Sequence, residues 1–195
     1  MKIVPIFVNE SNPSEGLFAI HHKDVEEDEF NRAFDSWNDY NYILNFCLQN
    51  KDKILDGFYG ENTIESFVDM IISEASLLEN EILTIAESGF ALGGEKLQTI
   101  FKPLNNGETS LPVLQSTKAS IKTRECPLPK LRLYALRVDA NTFIVTGGAI
   151  KITRTMSEMV DTQLELEKLE QVKQILKEKG IISQDGINYY YEQGE

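Results

Sequence analysis

Residues 131–151, LRLYALRVDANTFIVTGGAIK, decide the fold class. Leu131, Leu133 and Ala135 fall on one side of an extended chain, and Arg132 and Tyr134 on the other. That is the period of two expected of a β-strand. The run 139–142, DANT, carries turn-forming residues between two such stretches, 131–138 and 143–151, so the pair reads as an antiparallel hairpin. Gly147 and Gly148 inside the second strand predict a bulge or the close approach of another chain segment. Upstream, residues 118–124 (KASIKTR) place Lys118, Ser120, Lys122 and Arg124 on one strand face and Ala119, Ile121 and Thr123 on the other. A three-stranded antiparallel meander over about 109–152 is the expectation.

Outward from the meander the period changes. In 28–50, Phe30, Phe34, Trp37, Leu44 and Leu48 recur at helical steps, interrupted only at Asn41. Ile64, Phe67, Val68, Ile71, Ile72, Ala75, Leu78, Ile82 and Ile85 make a wide apolar face over about 63–88, with Asn62 and Glu65 spaced as a capping box. Together these predict a long helical hairpin over about 25–90. Residues 2–8 and 16–22 read as short strands around the turn NESNPSE. A last helix over about 161–180 is capped by Thr162 and Glu165, striped by Leu166, Leu169, Val172 and Leu176, and stopped by Gly180. The tail beyond it reads as a short strand or a loose end. The expectation is one α+β domain over 1–195: a twisted antiparallel sheet, a helical hairpin on one face, and a C-terminal helix beside it.

The net charge of −12 is unevenly spread. Residues 1–100 carry 19 acidic against 6 basic side chains, whereas 102–154 carry 9 basic against 3 acidic. The whole chain is therefore unsuited to generic nucleic-acid binding, while the basic stretch suits a specific anionic ligand. Cys47 and Cys126 stand alone, outside any metal-ligand spacing, which points to a reducing, cytoplasmic setting. No run has the makings of a signal peptide or a membrane span. His21 and His22 are adjacent on a strand and so diverge, giving no metal site. The glycine-rich run ESGFALGGEK matches no phosphate-binding spacing. No metal and no cofactor are expected.

The chemistry then rests on the basic strands. Lys122, Arg124, Arg132, Tyr134 and Lys151 lie on consecutive strands or at their ends, flanked by Lys118, Arg137 and Arg154. RNA cleavage by the 2′-hydroxyl needs a base, cations around the charged phosphorane, and an acid for the leaving oxygen. Such groups also alternate on the wet face of any half-buried sheet.

The element order and two local motifs resemble the RelE/ParE-like toxin superfamily, including its HigB-like and phage Gp49-like branches. FKPLNN (101–106) resembles the family's L-x-P-L turn, and KLRLYALRV followed by TGGAIKIT resembles its R-x-x-Y strand and H-G-F-x-K-K-T strand. Lys151 matches the first lysine of that motif; Ile152 replaces the second, Gly147 stands where histidine is common, and Ala149 replaces the phenylalanine. The resemblance implies catalytic or phosphate-binding roles for Lys122, Arg124, Arg132 and Lys151, and a stacking role for Tyr134, whose phenol can by its own chemistry also donate a proton. It adds RNA contacts by Lys118, Arg137 and Arg154. It further implies mRNA or the ribosome as target and a small helix-turn-helix antitoxin as partner. Typical members are shorter and basic, so the acidic helices are an addition. The competing expectation is a non-catalytic module that keeps this scaffold and binds a protein partner through those helices. A DNA-mimicking acidic inhibitor ranks third.

Overall fold

A computed structural model describes residues 1–56, 63–104, 112–122, 127–153 and 160–193. Among these, six strands and six α-helices follow the order β1 (Lys2–Asn9), β2 (Asn12–His21), α1 (Glu29–Asn38), α2 (Tyr40–Gln49), α3 (Lys51–Ile54), α4 (Ile64–Ser88), β3 (Lys102–Pro103), β4 (Gln115–Ala119), β5 (Leu131–Asp139), β6 (Thr142–Ile150), α5 (Val160–Glu178) and α6 (Gln184–Glu192). The strands form one sheet in the order β1-β2-β6-β5-β4-β3. The fold class is α+β.

The sheet is mixed, which corrects the antiparallel expectation. β2 lies parallel to β6, Gly16–Ala19 against Thr142–Val145, and so joins the hairpin β1–β2 to the hairpin β5–β6. The local sequence of β2 is compatible with that place: Leu17, Phe18, Ala19 and Ile20 are all fully buried, as a central strand covered on both faces requires. The bulge expected at the paired glycines is present, since Tyr134 faces Gly147 while Ala135 faces Val145. Gly148 abuts the Trp37 ring, the close approach its missing side chain permits.

The long first helix is two helices. Asp39 accepts from Asn41 N at 2.8 Å and Tyr42 N at 3.1 Å, capping α2, while its own N–H closes α1 on Asp35 O. The change of direction re-phases the apolar face: Ile43 and Cys47 are buried and Leu48 is exposed. The cap of α4 is a Thr63–Ser66 box, one residue on from the expected pair, of which Asn62 lies outside the described residues. The C-terminal helix begins at Val160, so Thr162 is inside its first turn and caps nothing. The tail is neither strand nor loose end but α6, capped by Ser183.

Helices cover both faces of the sheet. α1 and α4 pack on Leu17, Ala19, Leu131, Leu133, Ala135, Phe143 and Val145, and α2 packs against α4 and α1. α5 and α6 pack on Phe18, Ile20, Tyr134, Leu136 and Ile144. The last helices therefore lie opposite the first ones, not beside them. The C-terminal tyrosines also blunt the β1 edge. Ile3 N–H donates to Tyr190 Oη at 3.3 Å, Tyr191 Oη donates to Ile3 O at 3.3 Å, and Pro5 has no N–H to offer. Such an edge resists pairing with another strand.

Gly16 sits opposite Val8 in the irregular β1–β2 pair, at φ +137°. A Cβ there would lie 2.3 Å from Phe7 O and 2.8 Å from Val8 Cα, both backbone atoms with little freedom to retreat. Gly16→Ala is expected to cost about 2–3 kcal/mol through strain and clash. A chemical-denaturation midpoint unchanged within error would refute this.

Candidate functional site

Register places Lys118 of β4 opposite Tyr134 of β5, and Tyr134 opposite Gly147 of β6. This row crosses the sheet on the face covered by α5. Arg132 is two residues before Tyr134 and shares its face. Lys118 is half-buried, and its ammonium pKa is held below the ordinary lysine value by burial and by the nearby Arg132. Arg132 donates to Pro129 O at 3.0 Å and to Leu131 O at 2.6 Å, bracing the start of its own strand. Tyr134 is 0 % exposed, and its hydroxyl has no hydrogen-bond partner. Burial pushes that hydroxyl well above the usual phenol range. Its ring is packed under α5 and offers no face for stacking on a base, which corrects one of the two roles expected of it.

The other expected residues divide by position. β4 and β6 end where β5 begins, and at that end of the sheet Lys118, Lys122, Arg132 and Lys151 gather. Lys122 is exposed just past β4, and Lys151 Nζ donates to Thr153 O at 2.5 Å. Arg137 lies at the opposite end of β5, bound to Gln98 Oε1 at 2.8 Å, and does not join them. Arg124 and Arg154 lie outside the described residues.

A cleft of about 370 Å³ opens beside this end, along the edge of β4 that the two-residue β3 leaves uncovered. Lys102, Lys118 and Lys122 are among its lining, with Thr99, Ser120 and the apolar Ile85 of α4, Ile100 and Ile121. Glu81 and Glu95 stand at its rim. Three lysines among the lining, against two carboxylates, give the cleft a small positive excess that suits an anionic group such as a phosphate. Lys102 was not singled out from sequence, because its two-residue strand has no period to read.

A second polar group abuts the row at Gly147. Glu165 and Lys168 of α5 meet Glu29 and Arg32 of α1 and His22, the residue after β2. Lys168 Nζ lies 2.8 Å from Glu29 Oε2 and 2.7 Å from Glu165 Oε2; Arg32 Nη2 lies 2.5 Å from Glu29 Oε2 and 3.8 Å from Glu165 Oε1; His22 Nε2 lies 3.2 Å from Glu29 Oε1. Burial raises the Glu165 carboxyl above the usual range despite the pull of Lys168, and burial lowers His22 despite Glu29. The buried side-chain atoms without a hydrogen bond of ordinary geometry, among the described residues, belong to His22, Arg32, Tyr134, Thr162 and Glu165. All but Thr162, which sits one turn before Glu165 on α5, belong to this junction or to the row beside it. Nothing in sequence joins Glu29 to Lys168, 139 residues apart; the one signal was Gly147, read as a point of close approach.

Elsewhere, a cleft of about 390 Å³ lies beside β1, with Glu26, Glu27 and Asp28 at its margin and Val4 and Ile6 among its lining. Burial raises the Cys47 thiol to about 11, which leaves it unreactive. Among the described residues no group of three His, Cys, Asp or Glu is placed to hold a metal ion, and no helix is long and apolar enough to cross a membrane. Comparison with family models, with curated proteins and with solved structures returns no match, so the site is read from its own geometry.

Proposed function

We propose that this chain is an RNA-cleaving, toxin-like protein of RelE-like type, acting at the lysine cleft. The observation that carries the reading is the gathering of Lys102, Lys118 and Lys122 around one cleft, with Arg132 behind Lys118. The ribose 2′-hydroxyl attacks the adjacent phosphorus. Lys118 takes its proton, because an ammonium with a lowered pKa spends more time as the neutral amine. Lys102, Lys122 and Arg132 stabilise the extra negative charge on the phosphorane. Lysine and arginine supply that charge themselves, so the step asks for no metal. Tyr134, buried beneath α5, has no part in the step. The acidic first half of the chain is the docking side for a basic helix-turn-helix antitoxin, and mRNA, free or on the ribosome, is the target.

Three phosphate contacts on a single strand predict a log–log salt dependence of RNA affinity with a slope of about −2. Lys122→Ala should flatten that slope by roughly one contact's worth. The check is fluorescence anisotropy with a labelled oligoribonucleotide across a salt series, beside a cleavage assay and induced expression in a growing culture. Salt-independent or absent binding at low ionic strength removes the reading. The second reading, an interaction module without chemistry, is favoured by the burial of Tyr134 and by the self-bracing of Arg132. It predicts intact RNA and undisturbed growth with abundant folded protein.

A further inference from the structure

We infer that the outward face of α2 docks a basic protein helix, through apolar and amide contacts at the centre and ionic contacts only at the rim. The inference rests on the acidic docking side named above and not on the cleavage chemistry. Residues 29–88 carry 12 acidic against 3 basic side chains, yet residues 40–50, YNYILNFCLQN, carry neither. α2 turns Ile43 and Cys47 into the core. The rest of the helix forms three stripes of four-residue steps. Asn41, Asn45 and Gln49 run along the middle, all exposed. Tyr42 and Phe46 flank them on one side, Leu44 and Leu48 on the other. Phe46 and Leu44 are half-buried, while Tyr42 is 50 % and Leu48 54 % exposed.

A helix face left to water is ordinarily covered by lysine and glutamate, which pair at four-residue steps and favour the helix. α2 has no such pair, and its outward asparagines are weaker helix formers. Absence of charge together with exposed aromatic side chains is the composition of an interface centre. Tyrosine is a common anchor there. Each side-chain amide both donates and accepts, so Asn41, Asn45 and Gln49 can fix the register of a helix laid along them. Ten residues of helix span about 15 Å, nearly three turns of such a partner.

The rim sets the charge of the partner. Asp39 caps α2 at its start, and Asp35 stands one turn earlier on α1; both are exposed. On α4, Ser76 Oγ donates to Asn38 Oδ1 at 3.4 Å, so the stripe through Ser76 faces α1 and α2. Asp69 and Glu65, seven and eleven residues earlier, lie on that stripe and are exposed. Glu79 of α4 adds a fifth carboxyl, held above its usual range by burial and by the nearby Asp35. Of the cations close by, Arg32 is held by Glu29, and Lys51 and Lys53 share their turn with Asp52. A second copy of the chain would bring two acidic rims together, and a nucleic acid or an anionic lipid surface would meet the same repulsion. A basic partner gains from it.

The probe is a synthetic helical peptide of leucine and lysine, about 14 residues long so that it covers α2, with its leucines on one face. Its affinity for the full chain is measured by titration calorimetry at low and moderate ionic strength. The parent should bind it. Tyr42→Ser with Leu48→Ser should weaken binding about 10-fold or more while leaving the net charge, the Tm and RNA cleavage as in the parent. Asp35→Asn, Glu65→Gln and Asp69→Asn together should weaken binding at low salt and flatten its salt dependence. A peptide of the same composition with its leucines scattered should bind the parent no better than the first peptide binds the Tyr42/Leu48 variant. In magnetic resonance spectra of the parent, the side-chain amide signals of Asn41, Asn45 and Gln49 should shift on binding, which locates the peptide even if that variant fails to fold. Undiminished binding in the Tyr42/Leu48 variant, equal binding of the scattered peptide, or shifts confined to Glu26, Glu27 and Asp28 beside β1 overturns the placement on α2 and leaves the acidic docking side standing. A parent that binds no leucine–lysine peptide overturns both. Sedimentation showing a dimer of the parent that Tyr42→Ser with Leu48→Ser disperses also overturns the inference, since the occupant is then a second copy.

Discussion

Glu74→Ala is expected to lower stability by about 3 kcal/mol. Glu74 projects from the middle of α4 and is 2 % exposed. Its two carboxylate oxygens each accept the Lys130 N–H at 2.9 Å, and Oε1 accepts the Leu131 N–H at 2.8 Å. These N–H groups open β5, so one carboxylate fastens the helical layer to the start of the strand that carries Arg132 and Tyr134. Alanine would leave both N–H groups buried without that partner, and a buried donor left unsatisfied costs about 1–3 kcal/mol. Glu74→Gln keeps an acceptor in place and should cost less; Glu74→Leu fills the volume but not the bonds and should resemble alanine. For a chain of this size the loss corresponds to a fall in Tm of about 6–12 °C. Urea denaturation with an unchanged m-value checks it. A loss below about 1 kcal/mol for both Ala and Leu would mean that the β5 start is held by something else.

Lys118→Ala is expected to reduce RNA cleavage by about 10²–10⁴-fold, the range over which a positioned base acts. Lys118→Arg should not rescue it, because a guanidinium keeps its proton at any working pH and so cannot serve as a base. That pairing separates chemistry from charge: if Lys118 only attracted phosphate, arginine would restore activity. Burial and Arg132 shift the Lys118 ammonium downward, so the base limb of the pH–rate profile should lie at lower pH than for an ordinary lysine. Arg132→Gln removes one of the two causes and should move that limb back toward higher pH. Full activity in Lys118→Arg would end the assignment of Lys118 as base.

Much of this arrangement was already present in the sequence by itself. The alternation in residues 131–151 determined that Arg132 and Tyr134 share one face and Leu133 and Ala135 the other, and the register agrees. The same alternation put Lys118 opposite in face to Ala119, and the glycine pair marked the bulge and the close approach. The α4 stripe predicted its buried apolar residues from Ile64 to Ile85, although Ile72 is only partly buried and Glu74, a charged residue that no apolar stripe marks, is buried among them. These are local facts, because a strand or a helix fixes the direction of each side chain from its own backbone geometry.

Only the tertiary structure decided what lies against each face. The basic face that alternation suggested would be wet is roofed by α5, and Tyr134 is buried for that reason. The parallel pairing of β2 with β6 joins segments more than 120 residues apart, and no turn between them signals it. The junction of His22, Glu29, Arg32, Glu165 and Lys168 forms because that pairing ends at Ala19 and Val145, and α1 and α5 meet beyond it. Periodicity reports which residues travel together on a face; which face meets which is settled by close packing and ion pairing between distant segments, and these have no counterpart in neighbouring residues.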